Sequence, residues 1–406
     1  MTIDIRLVGP ERLEEFVQPI LMAFGMSFSP ERMARIRQLT EYDTRIAAFE
    51  GDAIVGTAGA YAMEMSTPGG GSVPTAGLTS VAVMPTHRRQ GVLTALMRRH
   101  FDEARAHGQP IAALWASEGP IYQRFGYGLA SFAGEVSIER ERTRFADPSP
   151  VPMRARFVDE ATALEVFPGI WERARAVVPG MSLRSPSWWS LRRLSDTEWS
   201  RAGAGPLNRV LIEVDGRPEG YALYRIRHQW ERNMPIGTLV VSEAIGATPA
   251  GTRAVWRYLF DIDLMHRIEA THLPVDHPLF LLLADPRRLR YSAYDALWVR
   301  LIDVEAALAS RAYGARDSIV LEIVDQHCPW NEGRYRLDGG ERRASRTNDA
   351  PDLRLPVDAL GSAYLGGISF ARLAEVGRVE ERAAGALSRA DALFRSARGP
   401  WCPELF

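Results

Sequence analysis

The pattern of apolar and polar positions divides this chain into three successive stretches of mixed strands and helices. Residues 3–7 alternate as a half-buried strand does. A helix opens at Pro10, with Leu13, Phe16, Ile20 and Leu21 on its apolar side. Ser29 followed by Pro30 supplies an N-cap and a first helical residue, so a second helix starts there. Residues 45–49 and 53–65 read as strands joined by the tight turn Glu50-Gly51-Asp52. A Pro/Gly loop over 67–74 leads to an apolar strand, 77–83, which Pro85 ends. Over 91–107 the spacing becomes helical, and Leu93, Leu96, Met97, Phe101 and Ala104 share a face. A buried strand (111–116), a short helix closed by Gly126 (121–125) and a last strand (133–141) complete the stretch.

The run Asp147-Pro148-Ser149-Pro150-Val151-Pro152 then punctuates the chain. A looser pass of the same pattern follows. It has strands at 153–158, 209–214, 221–227, 237–243 and 269–273 and helices at 160–177 and 249–264, which suggests an internal duplication. From about Leu297 the texture changes again. Residues 299–304 lead into a helix over 305–313, a strand follows at 318–325, and strand candidates at 331–336 and 352–355 precede helices at 357–364, 370–376 and 380–396. The expected fold class is α+β in three domains, 1–147, 148–294 and 295–406. The tail, Gly399-Pro400-Trp401-Cys402-Pro403-Glu404-Leu405-Phe406, is apolar and stiffened by two prolines, so it is expected to dock and not to fray.

Composition narrows the function. Hydrophobic residues make up 46% and charged residues 24% of the chain, ordinary globular values. No purely apolar run is longer than Leu279–Ala284, far below the roughly 20 residues a membrane span needs. The N-terminus carries acids early and has no apolar signal region, so a soluble cytoplasmic protein with no membrane partner is expected. The 49 basic residues, all Arg, balance 50 acidic ones, and no half is strongly basic, which argues against nucleic acid. Cys328 and Cys402 make neither a disulfide framework nor a Cys-rich metal site. His327 beside Cys328, and His272 with His277, come nearest to ligand spacing, but solvated or core histidine is the better reading, and no metal is expected.

The chemistry concentrates in Leu78-Thr79-Ser80-Val81-Ala82-Val83-Met84-Pro85-Thr86-His87-Arg88-Arg89-Gln90-Gly91-Val92-Leu93-Thr94. An apolar strand runs into a turn with two Arg and a Gly, and a long amphipathic helix follows at once. Free N–H groups and the dipole at a helix N-terminus attract phosphate. Gly91 lets the backbone approach closely, and Arg pairs with phosphate oxygens, so the ligand expected there is a pyrophosphate.

The order valine–x–valine–x–proline, then Arg-Arg-x-Gly opening a helix, resembles the acetyl-CoA motif of the GNAT acetyltransferases. Downstream, Trp115-Ala116-Ser117-Glu118-Gly119-Pro120-Ile121-Tyr122-Gln123-Arg124-Phe125-Gly126-Tyr127 resembles their second conserved stretch. Pro-Thr-His-Arg-Arg-x-Gly and Ile-Tyr-x-Arg-Phe-Gly-Tyr-Gly, with the length, the three-part organisation and a terminal Phe, are similar to the enhanced-intracellular-survival (Eis) branch. Leu93 departs from the superfamily's small residue at its position.

The resemblance implies two tandem GNAT-like domains, the second degenerate, and a C-terminal sterol-carrier-like domain. It implies that Val81, Ala82 and Val83 offer backbone groups to pantetheine. Arg88, Arg89, Gln90, Gly91, Val92, Leu93 and Thr94 would cradle the pyrophosphate, and Ser117 and Glu118 would meet the pantetheine end. Tyr122 would be the general acid, and the α-carboxylate of Phe406 the general base. A homohexamer is likewise implied. The second unit's comparable helix start, Gly246-Ala247-Thr248-Pro249-Ala250-Gly251, has no Arg pair, so it is expected to hold no acetyl-CoA.

No Cys lies near the motif, so direct transfer to an amine is expected. An ordinary phenol (pKa ~10) does not readily protonate a thiolate (~8.5), so Tyr122 is either acidified by its site or a hydrogen-bond donor to the thiolate. Three functions compete: acetylation of polyamine-like small molecules such as aminoglycosides, possibly at several positions; acetylation of protein or peptide lysines; and non-catalytic lipid or acyl-CoA binding. Trp188, Trp189 and Trp199 are expected in the core or at a domain seam.

Overall fold

The computed structural model describes residues 3–406. The chain divides into two compact units. One holds the residues up to Ser131 together with Ala296–Pro400 and Glu404–Phe406; the other holds Phe132–Asp295 and Trp401–Pro403.

In the first unit, β1 (Asp4–Leu7), β2 (Ile46–Glu50), β3 (Ala53–Thr67), β4 (Gly71–Val83), β5 (Ile111–Trp115) and β6 (Gly128–Leu129) enter one seven-stranded sheet. β1 to β4 are antiparallel neighbours, whereas β4 and β5 run parallel. The expected 67–74 loop is shorter: the turn is Pro68-Gly69-Gly70, with both glycines at positive φ, and β4 already begins at Gly71. Two glycines free of the Cβ constraint make a tight hairpin out of what composition marks as a loop.

The helices follow their apolar spacing. α1 (Leu13–Phe24) buries Leu13, Phe16 and Val17 and ends on Gly25 in the left-handed conformation. α2 (Pro30–Leu39) is capped as expected, the Ser29 hydroxyl accepting from Arg32 N at 3.2 Å. α3 (Val92–Ala106) buries Val92, Leu96, Met97, Phe101 and Ala104 against the sheet. α4 (Gly119–Gln123) is a short helix carrying Tyr122.

The second unit is built on β7 (Phe132–Glu139), β8 (Arg154–Phe157), β9 (Asn208–Val214), β10 (Arg217–Arg227), β11 (Trp230–Glu231), β12 (Met234–Pro235), β13 (Gly237–Gly246), β14 (Met265–Pro274) and β15 (Ser292–Asp295). Its sheet runs β15-β7-β14-β13-β10-β9-β8, and β11 and β12 form a separate ribbon. Residues 133–141, expected to close the first domain, therefore belong to the second sheet, where β7 pairs with β14 and β15. The expected boundary at 147 falls inside this unit, and the chain leaves the first unit at 131. Alternation fixes which face of a strand is buried but carries no information about its partner.

The place β7 would have filled is taken by β16 (Leu297–Leu301), which lies antiparallel between β5 and β6. The residues expected to lead into the third domain thus include a strand of the first sheet. The helix that follows is Val304–Ala309, shorter than expected. The rest of the first unit is a five-stranded sheet of order β19-β18-β17-β20-β21, from β17 (Ser318–Val324), β18 (Gly333–Asp338), β19 (Arg343–Arg346), β20 (Leu353–Pro356) and β21 (Glu380–Glu381). The expected 380–396 helix is reduced to Ala386–Phe394 behind the short strand β21. Among the described residues no helix is long and apolar enough to cross a membrane.

Candidate active site

The site follows from how β4 leaves β5. Their parallel pairing covers only Thr75, Ala76 and Gly77 against Ile111, Ala112 and Ala113. β4 runs on to Val83, so its later backbone groups do not pair with β5. A bulge sharpens the departure: the β3–β4 register shifts between Thr57 and Gly59, opposite Ser80, whose φ is +56°. The Thr57 hydroxyl donates to Ser80 O at 2.9 Å, and buried Arg45 donates to the Ser80 hydroxyl at 3.1 Å. A bulge of this kind re-aims the strand beyond it, here Val81–Val83.

A cleft of about 710 Å³ lies at this parting of strands. Val81, Ala82, Val83, Arg88, Arg89, Gly91, Val92, Leu93, Thr94, Ser117, Glu118 and Tyr122 all line it. Of the expected cradle residues only Gln90 does not, because its amide turns back and donates to Thr86 O at 3.0 Å. Gly91, at φ +84°, is the N-cap of α3, and no side chain caps the helix. Orphan N–H groups of the first turn therefore face the cleft beside Arg88 and Arg89, which have no carboxylate partner among the described residues. Such a corner suits a diphosphate.

Tyr122 lies at the other end of the set and is 6% exposed. Its ring meets Tyr127 edge-on at 6.1 Å between centroids. Burial pushes its phenol up to about 12; a hydrogen bond with Ser117 pulls the other way, and Glu118 adds to the rise. The site does not acidify this phenol, so of the two roles open to Tyr122 the hydrogen-bond donor is the one its surroundings favour.

Phe406 does not line the cleft. Its ring lies at Gly77, upstream of Val81 on β4, where an added Cβ would stand 3.3 Å from Phe406 Cδ2. The tail docks as expected: Cys402 and Glu404 are fully buried. Ala23 and Phe24 of α1, His87, Ile121 and Arg124 also line the cleft and were not anticipated. The available signal was Met22 and Phe24, large apolar residues of α1 off its buried face and left exposed. Trp188 and Trp189 are buried as expected, whereas Trp199 is 47% exposed. Cys328 is buried away from the cleft. Among the described residues no group of three or more His, Cys, Asp or Glu could hold a metal ion.

The comparable helix of the second unit, Pro249–Asp261, is closed by its own residues. The Thr248 hydroxyl accepts from Gly251 N at 3.1 Å and donates to the Glu219 carboxylate at 2.9 Å, and Ala247 N donates to Glu219 O at 2.9 Å. A capped first turn with a carboxylate beside it disfavours an anion.

Three family models match the chain: an acetyltransferase (GNAT) domain over residues 4–130, a second GNAT domain over 180–306, and a sterol carrier protein domain over 304–403. An uncharacterized N-acetyltransferase of Streptomyces avermitilis is 42% identical over 410 residues, covering all of both chains. The N-acetyltransferase Eis of Mycobacterium tuberculosis is 35% identical over 388 residues, 92% of each chain. The crystal structure of Eis1 from Mycobacterium abscessus superposes with a TM-score of 0.87 at 32% identity, covering 99% of this chain and 100% of that one. With two GNAT domains followed by a sterol-carrier-like domain, this chain belongs to the Eis family of GNAT N-acetyltransferases.

Proposed function

We propose that this enzyme transfers the acetyl group of acetyl-CoA directly to an amine of a small polyamine-like molecule of the aminoglycoside class, at one or several positions. The observation that carries the reading is one cleft lined by an uncapped helix N-terminus, by Arg88 and Arg89, which have no carboxylate partner among the described residues, and by Tyr122 and Ser117. In this reading the diphosphate lies on the amides of Gly91, Val92, Leu93 and Thr94 beside Arg88 and Arg89. The pantetheine arm pairs with Val81–Val83, as one more strand would with the free edge of β4.

The amine nitrogen attacks the thioester carbonyl, the C–N bond forms and the C–S bond breaks. The sulfur leaves as thiolate and takes a hydrogen bond from the Tyr122 phenol. The proton shed by the amine passes to the Phe406 α-carboxylate or through it to water. Full transfer of the phenolic proton to an ordinary thiolate (~8.5) would be uphill by about 5 kcal/mol from a phenol pushed up to about 12. Tyr122 therefore stabilises the leaving charge as a donor. The second unit, with its helix start sealed by Thr248 and Glu219, serves as a GNAT-shaped scaffold without acetyl-CoA.

Steady-state turnover with acetyl-CoA and a panel of aminoglycosides, simple polyamines and lysine peptides tests the reading, with product mass counting the acetyl groups. Acetylated aminoglycosides support it. Turnover of peptides alone selects the protein-lysine reading, and binding of acyl-CoA without any acetylated product selects the non-catalytic one.

A further inference from the structure

Tyr122 sits on a helix too short to be stable on its own. Its turn continues through Phe125 N donating to Tyr122 O (2.9 Å) and Gly126 N donating to Gln123 O (2.9 Å), and ends at Tyr127, whose ring abuts Tyr122. Two side chains from beyond residue 295 hold this turn. His327 Nε2 donates to the Arg124 carbonyl at 2.9 Å, and its ring lies 5.3 Å from Phe125 and 6.4 Å from Phe101. Arg300, on β16, presses Nη1 against Gly126, where an added Cβ would run into it.

The two are linked. Fully buried Arg300 donates to both Asp325 oxygens (2.9 and 3.0 Å) and to Cys328 Sγ (2.7 Å), and its guanidinium lies 4.3 Å over the Phe101 ring. Asp325 in turn accepts from His327 N (3.1 Å), Cys328 N (3.0 Å) and Asn331 Nδ2 (3.0 Å). The loop that carries His327 is thus fixed by Asp325, and Asp325 by Arg300. Arg300 nevertheless leaves Nε and Nη1 without hydrogen-bond partners in the interior. Retaining buried, unsatisfied donors is costly, and one of them, Nη1, lies against Gly126 of the Tyr122 turn.

We propose that His327, locked by the Arg300–Asp325 pair, is a positioning residue for Tyr122: it fixes the turn that aims the phenol. A donor misplaced by about 1 Å loses much of its effect, on the order of a hundredfold in rate. Because the bond is made by an Nε2–H to a carbonyl, both the matching neutral tautomer and the imidazolium can make it.

The inference rests on Tyr122 acting in turnover, and a double-mutant cycle separates the two. His327→Ala is expected to lower kcat about 5- to 20-fold, with the Kd of acetyl-CoA within about twofold and the melting temperature little changed. His327→Gln, whose amide can donate to the same carbonyl, should recover kcat to within about threefold. In a Tyr122→Phe background, His327→Ala should change kcat less than about twofold. An equal loss in both backgrounds, no recovery with Gln, or an unchanged kcat in His327→Ala would overturn the positioning role while leaving Tyr122's own role intact. Full turnover by Tyr122→Phe alone would overturn both.

Discussion

The ring of Phe406 lies over Gly77, the last residue of β4 to pair with β5. The chain end thus packs where the two strands part, beside Met63, whose sulfur an added Cβ would also strike. Gly77→Ala must displace both side chains, and overpacking of this kind costs about 1–3 kcal/mol. If the terminal carboxylate acts as proton acceptor, residues appended after Phe406, or its deletion, should lower kcat at least about tenfold while the melting temperature moves far less. Assay and thermal unfolding of a tagged and an untagged enzyme check this. A tagged enzyme at full turnover would remove the carboxylate from the reaction.

Tyr122→Phe is expected to lower kcat at least about tenfold with little change in acetyl-CoA affinity. Its pH dependence has a definite sign. A phenol pushed up to about 12 remains a donor through the working range, and that form is lost only as pH rises through about 12. The kcat profile should therefore show no decline near pH 10 due to this group, where an ordinary phenol is half ionised. A falling limb near 10 that disappears in Tyr122→Phe would contradict the donor role.

Arg88 and Arg89 stand at an uncapped helix start with no carboxylate partner among the described residues. Removing a charge-assisted bond to phosphate costs about 1.5–3 kcal/mol, or roughly 10- to 100-fold in Kd. Arg88→Ala and Arg89→Ala should each weaken acetyl-CoA binding by that order, with kcat nearly unchanged. Titration calorimetry at low and high salt reads the effect, and the difference from the parent enzyme should shrink as salt rises.

Two buried histidines make a prediction about acid stability. Burial alone lowers His277, and burial with the nearby Arg300 charge lowers His100, each to about 3 from an ordinary 6.5. Both stay neutral in the folded protein, while the unfolded chain takes up their protons below about 6.5. The stability they contribute is complete above 6.5 and is lost as pH falls toward 3. At pH 5 the pair adds about 2.7 kcal/mol per pH unit to the slope of unfolding free energy. His100→Gln should make the acid limb shallower by about half that amount in denaturant titrations. An unchanged slope would mean that His100 is protonated in the folded state.

Much of the cleft was legible because its parts are contiguous. The strand, the Arg pair, Gly91 and the amphipathic face of α3 lie within one segment, and local spacing fixes them. What stayed hidden depends on partners far apart in sequence. Nothing local tells β7 to pair with β14, or β16 to pair with β5. The bulge at Ser80 is held by Thr57 and Arg45, and the Tyr122 turn by His327, more than 200 positions away. Its place in the motif points Gln90 at the cleft, but its amide bonds to its own turn. Motif spacing places backbone better than it places a flexible side chain.

The two GNAT-like units differ most usefully at one helix start each. Gly91 leaves the first turn of α3 open, whereas the Thr248 hydroxyl caps the corresponding turn and donates a hydrogen bond to the Glu219 carboxylate. An incoming diphosphate at the second site would have to displace a cap worth about 1 kcal/mol and then meet a carboxylate. Each chain should therefore bind one acetyl-CoA, with a calorimetric stoichiometry near one, and Arg88→Ala should weaken that single event without revealing a second. Thr248→Ala should lower stability by about that 1 kcal/mol and leave the affinity for acetyl-CoA unchanged. A stoichiometry near two, or a loss of affinity in Thr248→Ala, would show that the second helix start also receives the nucleotide.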